Sequence, residues 1–367
     1  MQIDFHHAVT YVTARIAGFT HDEADIVAYS AQYVDDAVDD DHKNDESKGV
    51  VHFDNGASYK RIHSAHENYD SGNLHDDDNR LVWLPFHFLP GNGGINDREL
   101  NQGQNFIQKL ICLPDSPPAK DMVQAAINDK GKGYSLQRLG IAMHVYADTW
   151  AHQGFAGVIH KVNKVDDAEE IGNSGAFDKK LGHVLQDLFE HFPLNLGHLH
   201  AGEFPDLPFL SWKYTNGLGE LKQRNNAEFF LEAANAMCME MQRYNGQTNP
   251  TGISAKDKEL MEDIFLGLKH TDGEKRHKAW IDIINKGFSD PKGIRLFSFG
   301  SASIAYAKEG PDSWKEQALG SRYFFQKEFH YTPAFLTSNW KLFHDALQFH
   351  RLAVLHDILP KYGICSG

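Results

Sequence analysis

Between Leu136 and His160 the chain carries a long apolar stretch with helical patterning, and its core, Ile141 to His152, holds a single row of polar side chains. His144, Asp148 and His152 stand at i, i+4 and i+8, and every position between them is apolar or small except Thr149. Each step of four residues overshoots a full helical turn by about 40°. The three side chains therefore lie along one slowly drifting line. A polar row on an otherwise apolar helix is buried, and buried polar groups must be satisfied. Imidazole and carboxylate are the ligand types that catalytic zinc takes. A hydrogen-bonded His-Asp-His core network is the competing reading. The row is distinct from the His-Glu-x-x-His of metalloproteases and lacks that motif's Glu.

Two further clusters could join it. Gly197-His198-Leu199-His200-Ala201-Gly202-Glu203-Phe204-Pro205-Asp206 reads as a loop from its Gly and Pro content, and functional groups gather on loops held by a scaffold. His198 and Asp206 are the expected ligands there, with His200 a less certain third. The other cluster is N-terminal. Phe5 to Ala17 is apolar almost all round and reads as a buried helix that Gly18 ends. That places His6 in the interior, with Asp4 just before it. Thr20 and Glu23 form a capping-box signature for a second helix. Its small apolar stripe runs Ala24, Ala28 and Ala31, and the next position is Asp35. Asp35, more than Asp36, is thus expected to point inward, where a carboxylate needs a metal or a basic partner. His63 and His66 lie in Arg61-Ile62-His63-Ser64-Ala65-His66. His87, packed in Phe86-His87-Phe88-Leu89-Pro90, reads as structural. His344, His350 and His356 repeat every six residues, scatter around a helix, and receive no metal role.

Charge narrows the functions. The 367 residues include 22 His, and 50 acids stand against 36 bases for a formal charge of −14. A nucleic-acid backbone or an anionic membrane surface needs clustered Lys and Arg, so neither is expected as an electrostatic partner. An anionic substrate stays open, because bound cations invert the local sign. The acidic runs from Asp35 to Glu46 and from Asp76 to Asp78 read as solvated loops. Cys112, Cys238 and Cys365 form no Cys-x-x-Cys arrangement and imply neither disulfides nor a thiolate zinc site. No membrane-spanning apolar run and no basic, apolar leader is evident. Cytoplasm is the expected compartment, with export that reads no leader left open.

Helical patterns fall at Leu136–His160, Phe177–Glu190, Ala227–Tyr244, Asp257–Leu268, Glu274–Lys286 and Trp340–Leu359. The region from Asp36 to about Pro118 reads as loops and short extended pieces, with Leu81–Leu84 a short strand. The expectation is an all-α chain, mainly helical with a loop-rich N-terminal insertion. Residues 1–215 would form the metal-binding catalytic region. Residues 216–367 would form a helical portion packed on it within one compact domain.

The Asp-Phe-His opening, Gln32-Tyr33-Val34-Asp35-Asp36, His144 to Phe155 and the Gly-His…Pro-Asp segment resemble zinc-dependent phospholipases C, specifically bacterial zinc metallophospholipase C-like proteins. Their superfamily also holds the single-strand-specific zinc nucleases. The similarity covers roughly the first 215 residues, as motifs. It implies a helical fold and two or three zinc ions bridged by Asp148. His144, Asp35 and His66 (or His63) would surround one ion, His152, His198 and Asp206 a second, and His6 a third. In that superfamily an N-terminal Trp amine binds zinc, whereas this chain begins Met1-Gln2, so Asp4 would substitute or the third ion would be missing. The one-turn spacing from Asp148 to His152 is also shorter than in the better-known enzymes.

The implied activity is hydrolysis of a phosphodiester, foremost a phospholipid head group, with Asp35 or Asp36 taking a proton from the attacking water. The reading from a different class is a helical interaction protein whose metal or His/Asp network only holds the fold. Metal geometry separates the two: structural zinc is closed by four protein ligands, while catalytic zinc keeps an open position.

Overall fold

The computed structural model describes residues 1–38, 49–65, 76–98, 105–172, 196–291, 293–320 and 328–365. Its centre is the helix α6, Ser135–Ala151, in which every residue from Gln137 to Ala151 is buried. A helix buried on every face occupies the centre of a fold. The N-terminal segment opens as a π-helical turn, Asp4–Val9, that continues into α1, Thr10–Ile16. Gly18 follows at φ 96°, a left-handed conformation that glycine adopts without a Cβ clash. Helix α2, His21–Asp36, begins at the expected capping box, with Glu23 N–H donating to Thr20 and Glu23 reaching back to the Thr20 backbone.

Helix α2 lies against α6, and Gly140 sets how closely. A Cβ at that position would come within 2.4 Å of the Val27 carbonyl oxygen and 2.6 Å of Ser30 Cβ. The missing side chain lets the two backbones approach, and it brings Asp35 at the end of α2 toward His144, one turn beyond Gly140. Helix α5, Pro117–Asn128, and the helices Asn226–Tyr244 and Asn339–Leu352 cover other faces of α6. The helix Gly273–Lys286 packs on the Asp4–Val9 turn. The largest apolar cluster joins Phe5, Met143, Phe230, Trp280 and Tyr362, so both ends of the sequence share one core.

The expectation of an all-α chain is overturned. Among the described residues seven strands form three small antiparallel sheets, and the fold mixes helix and strand. They are the hairpin β1–β2 (Val50–His52, Ser58–Lys60), the sheet β3–β4–β5 (Val165–Glu170, Ser211–Asn216, Leu221–Asn225) and the hairpin β6–β7 (Phe288–Asp290, Gly293–Arg295). Each strand is three to six residues long, too short for a two-residue period to stand out. In β4 the alternation is nonetheless regular, with Trp212, Tyr214 and Asn216 buried and Ser211, Lys213 and Thr215 partly exposed. Trp212 and Tyr214 stack at 4.7 Å in a second cluster with Phe88, Phe155 and Phe204. Position 215 lies inside β4. Leu81–Leu84 is also corrected: it belongs to helix α3, Asp76–Phe86, whose buried Val82 and Leu84 pack inward. The Phe177–Glu190 segment lies outside the described residues. The three thiols are free, and no helix among the described residues is long and apolar enough to cross a membrane.

Candidate metal centre

Five separate pieces of chain deliver side chains to the end of α6. The helix itself presents His144 and Asp148, and His152 closes it as the C-cap. Asp35 arrives from α2, and His87 from the turn after α3, where its backbone N–H donates to Trp83 O at 3.1 Å. His198 and Asp206 come from the loop bounded by short 3-10 turns, and His6 from the π-helical opening. Arg224 of β5 anchors the end of α6. Its guanidinium donates to the carbonyls of Trp150, Ala151 and Gln153 at 2.9, 2.8 and 2.9 Å, satisfying acceptors that a helix C-terminus leaves without partners.

The carboxylate of Asp148 is shared. Its Oδ1 lies 2.8 Å from the Met1 nitrogen and 3.2 Å from His6 Nε2. Its Oδ2 lies 3.4 Å from His144 Nε2 and 3.6 Å from His87 Nδ1. Asp35 Oδ1 stands 3.7 Å from both His87 Nδ1 and His144 Nε2. Asp206 places Oδ2 at 3.7 Å from His198 Nε2 and Oδ1 at 3.1 Å from the Met1 nitrogen. Three groups of donors result, each with its ligand atoms within 4.8 Å of one another: His6, His144 and Asp148; Asp35, His87 and His144; His152, His198 and Asp206.

The histidines are held in one protonation pattern. His144 Nδ1 donates to Ala31 O at 2.7 Å, His87 Nε2 to Ser64 O at 2.8 Å, His152 Nδ1 to His87 O at 2.7 Å and His198 Nδ1 to Gly202 O at 3.0 Å. A carbonyl can only accept, so each of these nitrogens carries the proton. The lone pair sits on the other nitrogen, and this backbone tether is how metal-ligating histidines are oriented. His144 Nε2 and His87 Nδ1 consequently face each other at 3.4 Å, two lone pairs that repel unless a cation or a proton lies between them. His6 is fully buried, its ring stacked on His144 at 3.8 Å, and neither of its nitrogens makes a hydrogen bond. A buried imidazole left in that state costs free energy. The donor set of imidazoles and carboxylates fits a first-row divalent metal, and the Met1 amine, a cation paired with Asp148 and Asp206, would join it on losing its proton.

Electrostatics match. Burial, with a smaller push from His144, lowers His6 to about 4, so it is neutral. Burial by itself would raise the Asp148 carboxyl, but His152, the Met1 amine, His144 and His6 hold it well below the usual carboxylate range. Burial likewise opposes ionisation of Asp206, and the Met1 amine with His198 and His152 brings it down to about 2. Asp35 is pushed up to about 6 by burial, with His6 and His87 pulling the other way. At His87 burial works against the charged form, yet Asp148 and Asp35 raise it.

Of the residues expected from sequence, His6, Asp35, His144, Asp148, His152, His198 and Asp206 converge. Asp4 does not: both its oxygens are taken by Arg276, at 2.6 and 3.2 Å. Asp36 does not either, because it accepts from Tyr306 at 2.6 Å and Gln32 at 3.0 Å and pairs with Lys308 at 3.0 Å. His66 lies outside the described residues, while His63 and His200 fall in none of the three donor groups. His344 and His350 serve backbone carbonyls, of Ile62 and Pro85. Two groups escaped sequence reasoning. His87 looked like aromatic packing, and the flanking Pro85 and Pro90 were the only hint of a fixed turn. The Met1 nitrogen had one signal, the N-terminal amine ligand of the resembling superfamily, which the Met1-Gln2 opening led the sequence reading to replace with Asp4 or with a missing third ion.

A model of a family of unknown function (DUF6765) matches residues 1–358. No curated protein and no solved structure matches the chain.

Proposed function

We propose that this chain, which belongs to that family of unknown function, is a zinc-dependent phosphodiester hydrolase of the phospholipase C kind, acting on a phospholipid head group. The observation that carries the reading is the convergence of His6, His87, His144 and His152 on the two oxygens of Asp148, the last three of them tethered to backbone carbonyls. Met1 nitrogen, His6 and Asp148 Oδ1 would hold one ion. Asp35, His87, His144 and Asp148 Oδ2 would hold a second, and His152, His198 and Asp206 a third. Zinc supplies a bound water acidified to a pKa of about 7 and positive charge against phosphoryl oxygens.

The chain's own contribution is placement and proton handling. Asp148, 1% exposed, keeps its carboxylate ionised inside the cluster and spaces two donor groups. Asp35 has 32% of its side chain exposed, the most of the three acids. It is the carboxylate reached from outside, and the proton of an incoming water passes to it. His198, 22% exposed, marks the same open side. The charge of −14 favours a lipid head group over a nucleic acid, whose backbone requires basic residues.

Metal content by elemental mass spectrometry, paired with hydrolysis of p-nitrophenyl phosphorylcholine and of phospholipid vesicles, tests the reading. Asp148→Asn is expected to lose activity below detection and bound metal together. A variant that stays active and fully metallated would sink the assignment. So would a metal-loaded wild type that cleaves no phosphodiester.

A further inference from the structure

The Asp4–Val9 turn contributes His6 and leads back to the Met1 nitrogen, yet its own carboxylate, Asp4, is withdrawn from the metal groups. The partner that withdraws it is Arg276, in the first turn of the helix Gly273–Lys286 and fully buried. Its Nε donates to Asp4 Oδ2 at 2.6 Å, and its Nη2 to Asp4 Oδ1 at 3.2 Å and to Gln2 Oε1 at 2.6 Å. Its Nη1 donates to the carbonyls of His270 and Thr271 at 2.5 and 2.9 Å. A long contact of 3.5 Å reaches Asp206 O. The guanidinium is thus anchored in its own helix's approach and grips residues 2 and 4 with the other arm. Asp272 caps that helix through the N–H groups of Glu274 and Lys275, which fixes the arginine's base. Gly273 lets the N-terminal segment in: a Cβ there would come within 2.5 Å of Gln2 Oε1 and 3.1 Å of its Cβ. One residue along, His277 Nε2 meets His7 Nδ1 at 2.9 Å.

We propose that Arg276 is a positioning residue for the His6 side of the cluster: it locks residues 2 to 4 against the helix Gly273–Lys286, so that filling of the position bounded by His6, the Met1 nitrogen and Asp148 depends on it. The inference rests on the three-ion reading above. A planar fork of donors suits this task, because a carboxylate, an amide and two carbonyls are held at once in fixed directions. The other two donor groups hang on α2, α3, α6 and the 198–206 loop, and the clamp touches them only through the long Asp206 contact.

The test uses the full chain. Zinc is titrated into metal-stripped wild type, Arg276→Lys, Arg276→Gln and the charge-neutral pair Asp4→Asn/Arg276→Gln, with bound ions counted by native mass spectrometry and folding followed by thermal melting. The pair is included because Arg276→Gln leaves Asp4 buried and unpaired, which can unfold the chain. In folded variants the expected result is two tightly held ions and a third weakened by about 10-fold to 100-fold, the range for outer-shell changes. Arg276→Lys should weaken it least. Three ions held at wild-type affinity in a folded variant would overturn the proposal, as would equal weakening of all three. A wild type that never takes a third ion removes the reading beneath the clamp and the clamp with it. A wild type that takes three but cleaves no phosphodiester leaves the clamp standing and removes only the chemistry.

Discussion

Each oxygen of Asp148 keeps different company, the Met1 nitrogen and His6 on one side and His87 and His144 on the other. Such a carboxylate holds two positive centres apart or, without metal, gathers protons. The same logic applies to His87, whose only nitrogen free of the backbone faces another lone pair. His87→Gln should therefore weaken one zinc by at least about 100-fold, beyond what outer-shell changes cost. Competition with a chromophoric chelator measures this, and unchanged affinity would place His87 outside the metal shell. Asp36 offers the contrast: one position from Asp35, it is saturated by Tyr306, Gln32 and Lys308. Asp36→Asn is expected to alter melting temperature while leaving zinc count unchanged, a comparison that separates the two neighbouring acids.

At the scale of elements, the cluster depends on how α2 meets α6. Gly140 permits that approach, and the His144 Nδ1 bond to Ala31 O is its direct product. Gly140→Ala gains helix propensity of about 1 kcal/mol, but the new methyl meets a backbone carbonyl that cannot rotate away. Overpacking of that kind costs about 1–3 kcal/mol, so the net effect expected is a lower urea midpoint together with weaker zinc binding as Asp35 shifts. An unchanged midpoint would show that the helices have room to spare. The far end of α6 has a comparable fastening in Arg224, which is sandwiched by Trp212 and Phe229 at 5.8 and 5.3 Å. The small β3–β4–β5 sheet thereby positions His152, although it supplies no ligand.

Across the whole molecule, contacts between distant parts of the sequence tie the N-terminal segment down. The His7–His277 pair spans 270 residues, and burial lowers His277 to about 4 and His7 well below its ordinary value. The sign follows from which state binds protons. Above pH 6.5 both folded and unfolded imidazoles are neutral and the pair contributes no pH dependence. As pH falls from about 6.5 toward 4, the unfolded chain takes up protons that the folded chain refuses, so stability falls through that window. Metal-stripped protein should accordingly melt at progressively lower temperature between pH 7 and 5, and His277→Gln should flatten that slope. An equal slope in the variant would shift the effect to other groups. On the proposed zinc reading, added zinc should raise the melting temperature in a concentration-dependent way, since any ligand that favours the folded state stabilises it, and an unmoved melting temperature would count against that reading.

Much was legible locally. The all-buried character of α6, its row of His144, Asp148 and His152 and the capping box at Thr20 follow from a 3.6-residue period and the chemistry of helix ends, which act over a few neighbours. Asp35, by contrast, expected to face inward more than Asp36, has the more exposed side chain of the two, 32% against 15%. The short strands were not legible, since three to six residues give alternation too little length to show. Neither was the choice among carboxylates. Asp4 and Asp36 carry the same group as Asp148, and what removes them from the cluster is a guanidinium at 276 and a phenol at 306. His87 is the converse: an unremarkable histidine by sequence, it becomes a candidate ligand only because Ser64 takes one nitrogen and α6 meets the other. Periodicity determines which face of an element is buried. Which buried groups meet, and whether a proton, an arginine or a metal satisfies them, depends on distances across the fold that no local pattern contains.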